Sequence, residues 1–196
     1  LFAAHFSPAV ARRNEISIQT MNAILGFIFT SRINMNLRED KHWSYGVRSS
    51  LPDALGERPW LLAAPVQTDR TVEAMRELKR EIEEFVGPRP STTAEIRKVM
   101  NRQVRALSGR YETNAAVASA IAEMIVFDRP DDYVRTLKDR IESQTDTAVQ
   151  AAAREALEPS RLTWIVVGDL DVIERPIREL GFGEVHVLDA DGRIVR

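Results

Sequence analysis

Arg38 and Tyr45 stand seven positions apart in the stretch NLREDKHWSYG, residues Asn36 to Gly46. The two side chains share one chemical habit. Arginine offers a planar fork of donors that suits carbonyl or carboxylate oxygens. Tyrosine offers a single phenolic donor on a stiff two-torsion arm. Such a pair suits holding a peptide backbone or stabilising negative charge that develops on a carbonyl. Neither type of group is a base near neutral pH, so the pair does not activate water by itself. The spacing also admits a plainer account: an arginine at a helix end that favours the helix dipole, and a tyrosine at home in a strand.

Other chemistries find less support. Cysteine is absent, which removes disulfides, thiolate nucleophiles and thiolate metal sites together. That suits a reducing compartment, and equally a periplasmic protein that needs no bridges. The three histidines, His5, His42 and His186, lie in HFSPA, HWSYG and HVLDA, and none has the spacing of an H-x-x-E-H or H-E-x-x-H zinc site. No metal ligands are therefore assigned; His5 and His186 are expected to be structural. No G-x-S-x-G elbow occurs, and Gly168 stands alone between a strand and a helix, where a phosphate loop needs more glycine. Paired carboxylates such as Glu83–Glu84 and Asp131–Asp132 read as solvated helix faces or caps. A net charge of -2, with arginines spread along many helices, gives no electrostatic drive toward nucleic acid or an anionic membrane. The longest apolar run, Met21 to Phe29, is too short to span a bilayer.

The elements that must position Arg38 and Tyr45 follow from periodicity. Leu1 to Phe6 is expected to end a strand at Pro8. A helical stretch from about Ala11 to Asp40 carries Ile16, Met21, Ile24, Leu25 and Ile28, and residues 23–29 are apolar almost all round, as in a helix packed on several faces. From Trp43 the period changes to two, which predicts a strand with Trp43, Tyr45, Val47, Ser49 and Leu51 on one face. Trp60 to Gln67 is expected to pair antiparallel with it. Helices follow: one capped by Thr68 or Asp69 with the stripe Val72, Met75, Leu78, Ile82, Phe85; one opened by a Thr92–Glu95 capping box; then Thr113–Phe127, Asp131–Ile141 and Thr145–Leu157. A strand over 161–167, a helix near Val172–Leu180 kinked at Pro176, a strand over 184–188 and the turn DADG complete the order. This is an α+β pattern, not an alternating parallel one. At 196 residues without repeats, one domain is expected over 1–196, and the chain, which begins with Leu1 inside an apolar segment, is expected to be an N-terminally truncated piece of a longer protein.

Ser31-Arg32-Ile33-Asn34, Leu37-Arg38-Glu39 and Tyr45-Gly46, within TSRINMNLREDKHWSYGVRSS, resemble the carboxy-terminal, non-zinc-binding half of the pitrilysin/insulinase family of zinc metallopeptidases, which includes mitochondrial processing peptidase. TDRTVEAMRELKREIEEF, TTAEIRKVMNRQVRAL and RLTWIVVGDLDVI resemble, in order, later segments of that half. The chain departs from the family in having only Gly26 before Ser31-Arg32, and His42-Trp43 where Gly-Tyr is common.

The resemblance implies a two-layer α/β domain of the metallohydrolase type shared with mitochondrial processing peptidase, a mainly antiparallel sheet covered by helices. It implies no catalytic residue and no cofactor in this chain. Zinc would belong to a homologous partner half, in the same polypeptide or a separate subunit, and Arg38 and Tyr45 would bind the peptide substrate near the cut. Bacterial relatives suggest a periplasmic setting. Two other outcomes are compatible with it: a structural or assembly subunit that keeps the fold without peptidase activity, and a domain that binds peptides without cleaving them.

Overall fold

Alternating burial at the amino terminus builds the first strand, β1 (Phe2–Ser7): Ala3, His5 and Ser7 face inward while Phe2 and Phe6 face out. In the computed structural model, which describes residues 1–9 and 14–196, β1 lies inside a four-stranded antiparallel sheet with β2 (Arg48–Ser50), β3 (Arg58–Ala63) and β4 (Thr163–Ile165), in the order β2-β3-β1-β4. The register sets Phe2 against Ala63 on one side and Ile165 on the other, and His5 against Trp60. Helices α1 (Glu15–Asn22), α3 (Thr71–Val86), α4 (Thr93–Arg110) and α7 (Asp146–Ala156) cover the inner face, with Ile18, Met21, Trp60, Leu62, Leu78, Ile82, Phe85 and Val149 in the core. Three short helical segments follow α1, the middle one being α2 (Arg32–Asn34). Helices α5 (Asn114–Val126), α6 (Tyr133–Glu142) and α8 (Leu170–Glu179) complete the set. The outer sheet face stays open, with Phe2, Phe6, Leu61 and Ile165 exposed. The expected α+β layer design is the one observed.

Buried polar side chains fasten the layers. Asn22 ends α1 and accepts at Oδ1 from Trp60 Nε1 (2.9 Å) and Ser49 Oγ (2.6 Å), which ties helix to sheet. Arg58, fully buried, donates to Pro8 O (2.9 Å) and to both Glu15 carboxylate oxygens (3.1 and 2.5 Å). Burial pushes the Glu15 carboxyl up against the opposing pull of Arg58 and Gln19, which marks a desolvated ion pair.

Several expectations need correction. The helix expected over 11–40 is not continuous, and residues 10–13 lie outside the described residues. After α1 the backbone widens into a π turn at Ala23–Phe27, Ile28 is extended (φ -90°, ψ 160°), and α2 gives way to a second π turn at Met35–Asp40. The reason is crowding. A Cβ on Gly26 would lie 2.5 Å from Ser49 Oγ, so this segment runs hard against β2 and does not keep a straight α-helical path across it. The strand expected over 43–51 contracts to Arg48–Ser50 plus one bridge between Ser44 and Val66. Ser44 Oγ instead serves a local turn, donating to Pro65 O (2.6 Å), and the Val47 N–H goes to a side chain. The strand expected over 60–67 ends at Ala63, with Pro65 lacking a ladder donor. The strand over 161–167 shortens to three residues. A 3₁₀ turn at Thr68–Arg70, not a side-chain cap, opens α3. Residues 184–188 form no strand; the chain turns back through one bridge, Leu188 to Ile194, with the Asp189 carboxylate accepting from the backbone of Asp191 and Arg193 (2.9 Å each). The Thr92–Glu95 capping box is present as expected. No helix among the described residues is long and apolar enough to cross a membrane.

Candidate functional site

The second π turn is what presents Arg38. Lys41 N donates to Asn36 O (3.0 Å) and Trp43 N to Leu37 O (2.9 Å), bonds that reach past the α-helical span. His42 takes φ +57° to close the turn, with Nδ1 3.1 Å from Arg38 O. An extra residue in a turn swings the following side chains by about 100° around the axis. Leu37 thus anchors in the core while Arg38, its neighbour, emerges at the surface. Tyr45 lies beyond the turn in the irregular segment before β2, 91% exposed. It does not share a buried face with Val47, Ser49 and Leu51, as strand alternation predicts; the Ser44–Gly46 turn rolls it outward. Trp43 stays partly buried and packs on the core.

The two sequence-predicted residues meet. The Arg38 guanidinium carbon lies 4.5 Å from the Phe29 ring centroid and 5.5 Å from that of Tyr45, within cation–π range of both. Its Nε is 3.3 Å from Glu39 Oε1, and its terminal nitrogens donate to no described residue. The Tyr45 hydroxyl likewise hydrogen-bonds no described residue. Arg38 lines a cleft of about 270 Å³ with Phe27, Phe29, Asn34, Val47 and Arg48, and Tyr45 stands exposed next to Gly46 in its wall. A larger hollow, about 450 Å³, runs along α8, but one helix supplies its walls and Glu174 there is taken up by Arg178 (2.9 Å) and Arg196 (2.5 Å). Of these two, the smaller cleft brings groups from different segments together.

Asn34 sets the shape of that cleft, a role the sequence reading missed. Its Nδ2 donates to Phe29 O (2.6 Å) and its Oδ1 accepts from Val47 N (2.9 Å), clamping the loop before α2 to the start of β2. Asn34 is buried, whereas a polar residue near the helix end reads as solvated. The available signal was its place beside Ile33 and Leu37, both core residues. Arg32 works behind the site. It grips both Glu95 oxygens (2.7 Å each) and Pro90 O (2.8 Å), fixing α2 to the start of α4. Burial raises the Glu95 pKa, but hydrogen bonds from Arg32 and Thr92 outweigh it and hold the carboxyl down at about 2.

Zinc finds no fitting ligand set. Among the described residues no group of three or more His, Cys, Asp or Glu side chains is placed to hold a metal ion. His5 is buried on β1 and stacked on Trp60 at 5.6 Å, with burial lowering its pKa, as a structural histidine. His42 closes the π turn, and His186 lies in the irregular carboxy-terminal segment rather than the expected strand.

Comparisons with known proteins give the same direction. The structure is similar to the peptidase M16 inactive domain of Pseudomonas fluorescens (TM-score 0.76, 17% identity, 82% of this chain and 38% of that one). It is similar to a protease of Helicobacter pylori (0.72, 16%, 82% and 38%). A candidate zinc protease from Bordetella pertussis matches at 0.71 and 21%, over 85% of this chain and 92% of that one. The chain thus spans 38% of the length of the first two structures. No curated protein sequence matches significantly. The family model described as the peptidase M16 inactive domain matches residues 1–102, more than half of the 196. The chain therefore belongs to the M16 peptidases as their inactive domain, the counterpart of the carboxy-terminal half of pitrilysin-type zinc proteases.

Proposed function

We propose that this chain is the substrate-gripping, metal-free half of a zinc peptidase, and that Arg38 and Tyr45 hold the peptide near the cut. The observation that supports it most is their juxtaposition: the Arg38 guanidinium carbon lies 5.5 Å from the Tyr45 ring centroid, beside an open cleft that Arg38 lines, and no described residue uses the terminal guanidinium nitrogens or the phenol hydroxyl. Donors fixed before a substrate arrives lose little reorganisation energy when they meet an oxygen. The guanidinium contacts the Phe29 and Tyr45 rings, and Asn34 holds the loop carrying Phe29, which favours a preorganised fork. Tyr45 supplies one further donor. Water activation belongs, in this reading, to a homologous zinc-bearing half, because among the described residues no group of side chains is placed to hold a metal ion, and the carboxylate beside Arg38, that of Glu39, is paired with it. A periplasmic setting accompanies the reading and rests on the family resemblance.

The test is turnover after reassembly with the zinc-bearing half. Arg38→Ala and Tyr45→Phe should each lower kcat by about 10²- to 10³-fold if the donors act on an oxyanion, with folding and zinc content unchanged. Undiminished turnover in both variants would leave the scaffold reading, in which the fold serves assembly alone.

A further inference from the structure

Arg38 does not stand alone in its cleft. Arg48, the first residue of β2, is exposed, and its guanidinium carbon lies 4.4 Å from the Phe27 ring centroid. Phe27 and Phe29, two positions apart, therefore each carry an arginine on their ring: Arg48 on the first, Arg38 on the second. Arg48 forms no ion pair or hydrogen bond through its side chain with any described residue. Elsewhere in the molecule arginines in partly buried positions are matched with carboxylates, as Arg32 is with Glu95 and Arg58 with Glu15. Here every charged residue lining the cleft is an arginine. Glu39, 3.3 Å from Arg38 Nε, answers part of the Arg38 charge, whereas Arg48 has no such carboxylate among the described residues and an anion beside it supplies one.

Resting on the reading that this cleft grips a peptide, we propose that Arg48 is a specificity-determining residue that makes the cleft select an acidic side chain, glutamate or aspartate, of the bound peptide. The chemistry follows from the parts. Stacking on Phe27 holds the guanidinium plane and keeps its edge donors free, the arrangement that accepts a carboxylate side-on. The cleft's volume of about 270 Å³ takes one side chain, not a folded partner. The backbone of β2 begins at this same residue on the edge of the sheet, so an extended peptide passing Arg38 and Tyr45 runs beside Arg48. Nucleic acid is a poor match because the chain's net charge is -2 and the cleft itself presents two arginines.

The experiment titrates the 196-residue chain, at low ionic strength, with two fluorescent extended peptides followed by anisotropy. Both are acetylated and amidated at their ends and identical except for a central glutamate or glutamine, so the only difference is one carboxylate. The wild-type chain should prefer the glutamate peptide by about 5- to 10-fold, falling as salt is raised. In Arg48→Gln that ratio should collapse to about 1 to 2, and in Arg48→Glu it should invert. Arg48 is exposed, so both variants should keep the wild-type circular dichroism spectrum. An undiminished glutamate preference in Arg48→Gln, alongside weaker binding of both peptides in Arg38→Ala, overturns the role of Arg48 and leaves the peptide grip standing. Failure of either peptide to bind the wild-type chain overturns both.

Discussion

At the residue scale, the site depends on side chains that never touch substrate. Asn34 satisfies Phe29 C=O and Val47 N–H at once, the second of them buried. Asn34→Ala should leave the buried Val47 N–H unpaired and cost about 1–3 kcal/mol, the range for one orphaned buried group. Thermal unfolding would show it as a lowered Tm; a change within the error of the measurement would mean the loop is held by other contacts. Glu95 gives a pH test. Its folded pKa, about 2, lies below the ordinary 4.5, so the unfolded chain binds the proton more readily. The stabilisation is therefore complete above pH 4.5 and lost as pH falls from there toward 2. Glu95→Gln keeps a capping-box side chain but removes the charge that pairs with Arg32. It should cost about 1–2 kcal/mol at pH 7, discounted for partial exposure, and give a shallower loss of stability between pH 4.5 and 2. Parallel acid profiles for the two proteins would remove the ion pair from the account.

At the element scale, the strong periodic signals were legible and the interrupted ones were not. Of the expected stripe, Met75, Leu78, Ile82 and Phe85 are buried along α3 as their spacing requires, Val72 at its start is half-buried, and Thr92 with Glu95 opens α4. Those patterns depend on a few residues at fixed offsets and on nothing distant. The π turns and the break at Ile28 depend on the approach of β2, which no local pattern encodes. The same contact made Tyr45 look like a strand residue: alternation from Trp43 to Leu51 is real in the sequence, but Ser44 and Asn34 divert the backbone before β2 begins. Arg38 and Tyr45 were legible as a pair of donors, whereas Phe27, Phe29 and Arg48 were not, because their stacking requires the folded loop. Gly26 marks the contact. Gly26→Ala would drive a methyl into Ser49, whose Oγ and Cβ lie 2.5 and 2.9 Å from its position. A cost of about 1–3 kcal/mol is expected from overpacking, and Ser49→Gly in the same chain should recover part of it. Equal stability of Gly26→Ala and wild type in denaturant unfolding would contradict the crowding that interrupts the helix.

At the scale of the whole molecule, the chain covers one face of its sheet and leaves the other open. Phe2, Phe6, Leu61 and Ile165 stand exposed on that outer face, and α5 has no buried residue along its length despite an apolar sequence. Helix α5 should accordingly exchange its amide hydrogens well before α1, α3 and α7, whose contacts make the core; protection of α5 equal to that of α3 would contradict this ordering. The proposed division of labour places oxygen-seeking donors here and the metal in another half. Its central claim is that Arg38 and Tyr45 act on one point of the peptide. Double-mutant kinetics test that claim most directly, using the chain reassembled with its zinc-bearing half and turnover normalised to zinc. If the two donors serve one oxygen or its immediate neighbourhood, Arg38→Ala/Tyr45→Phe should lose little more kcat than the worse single variant, because groups that act as a unit are not additive. Losses that multiply, each variant costing the same whether or not the other is present, would show two independent residues and contradict the shared grip.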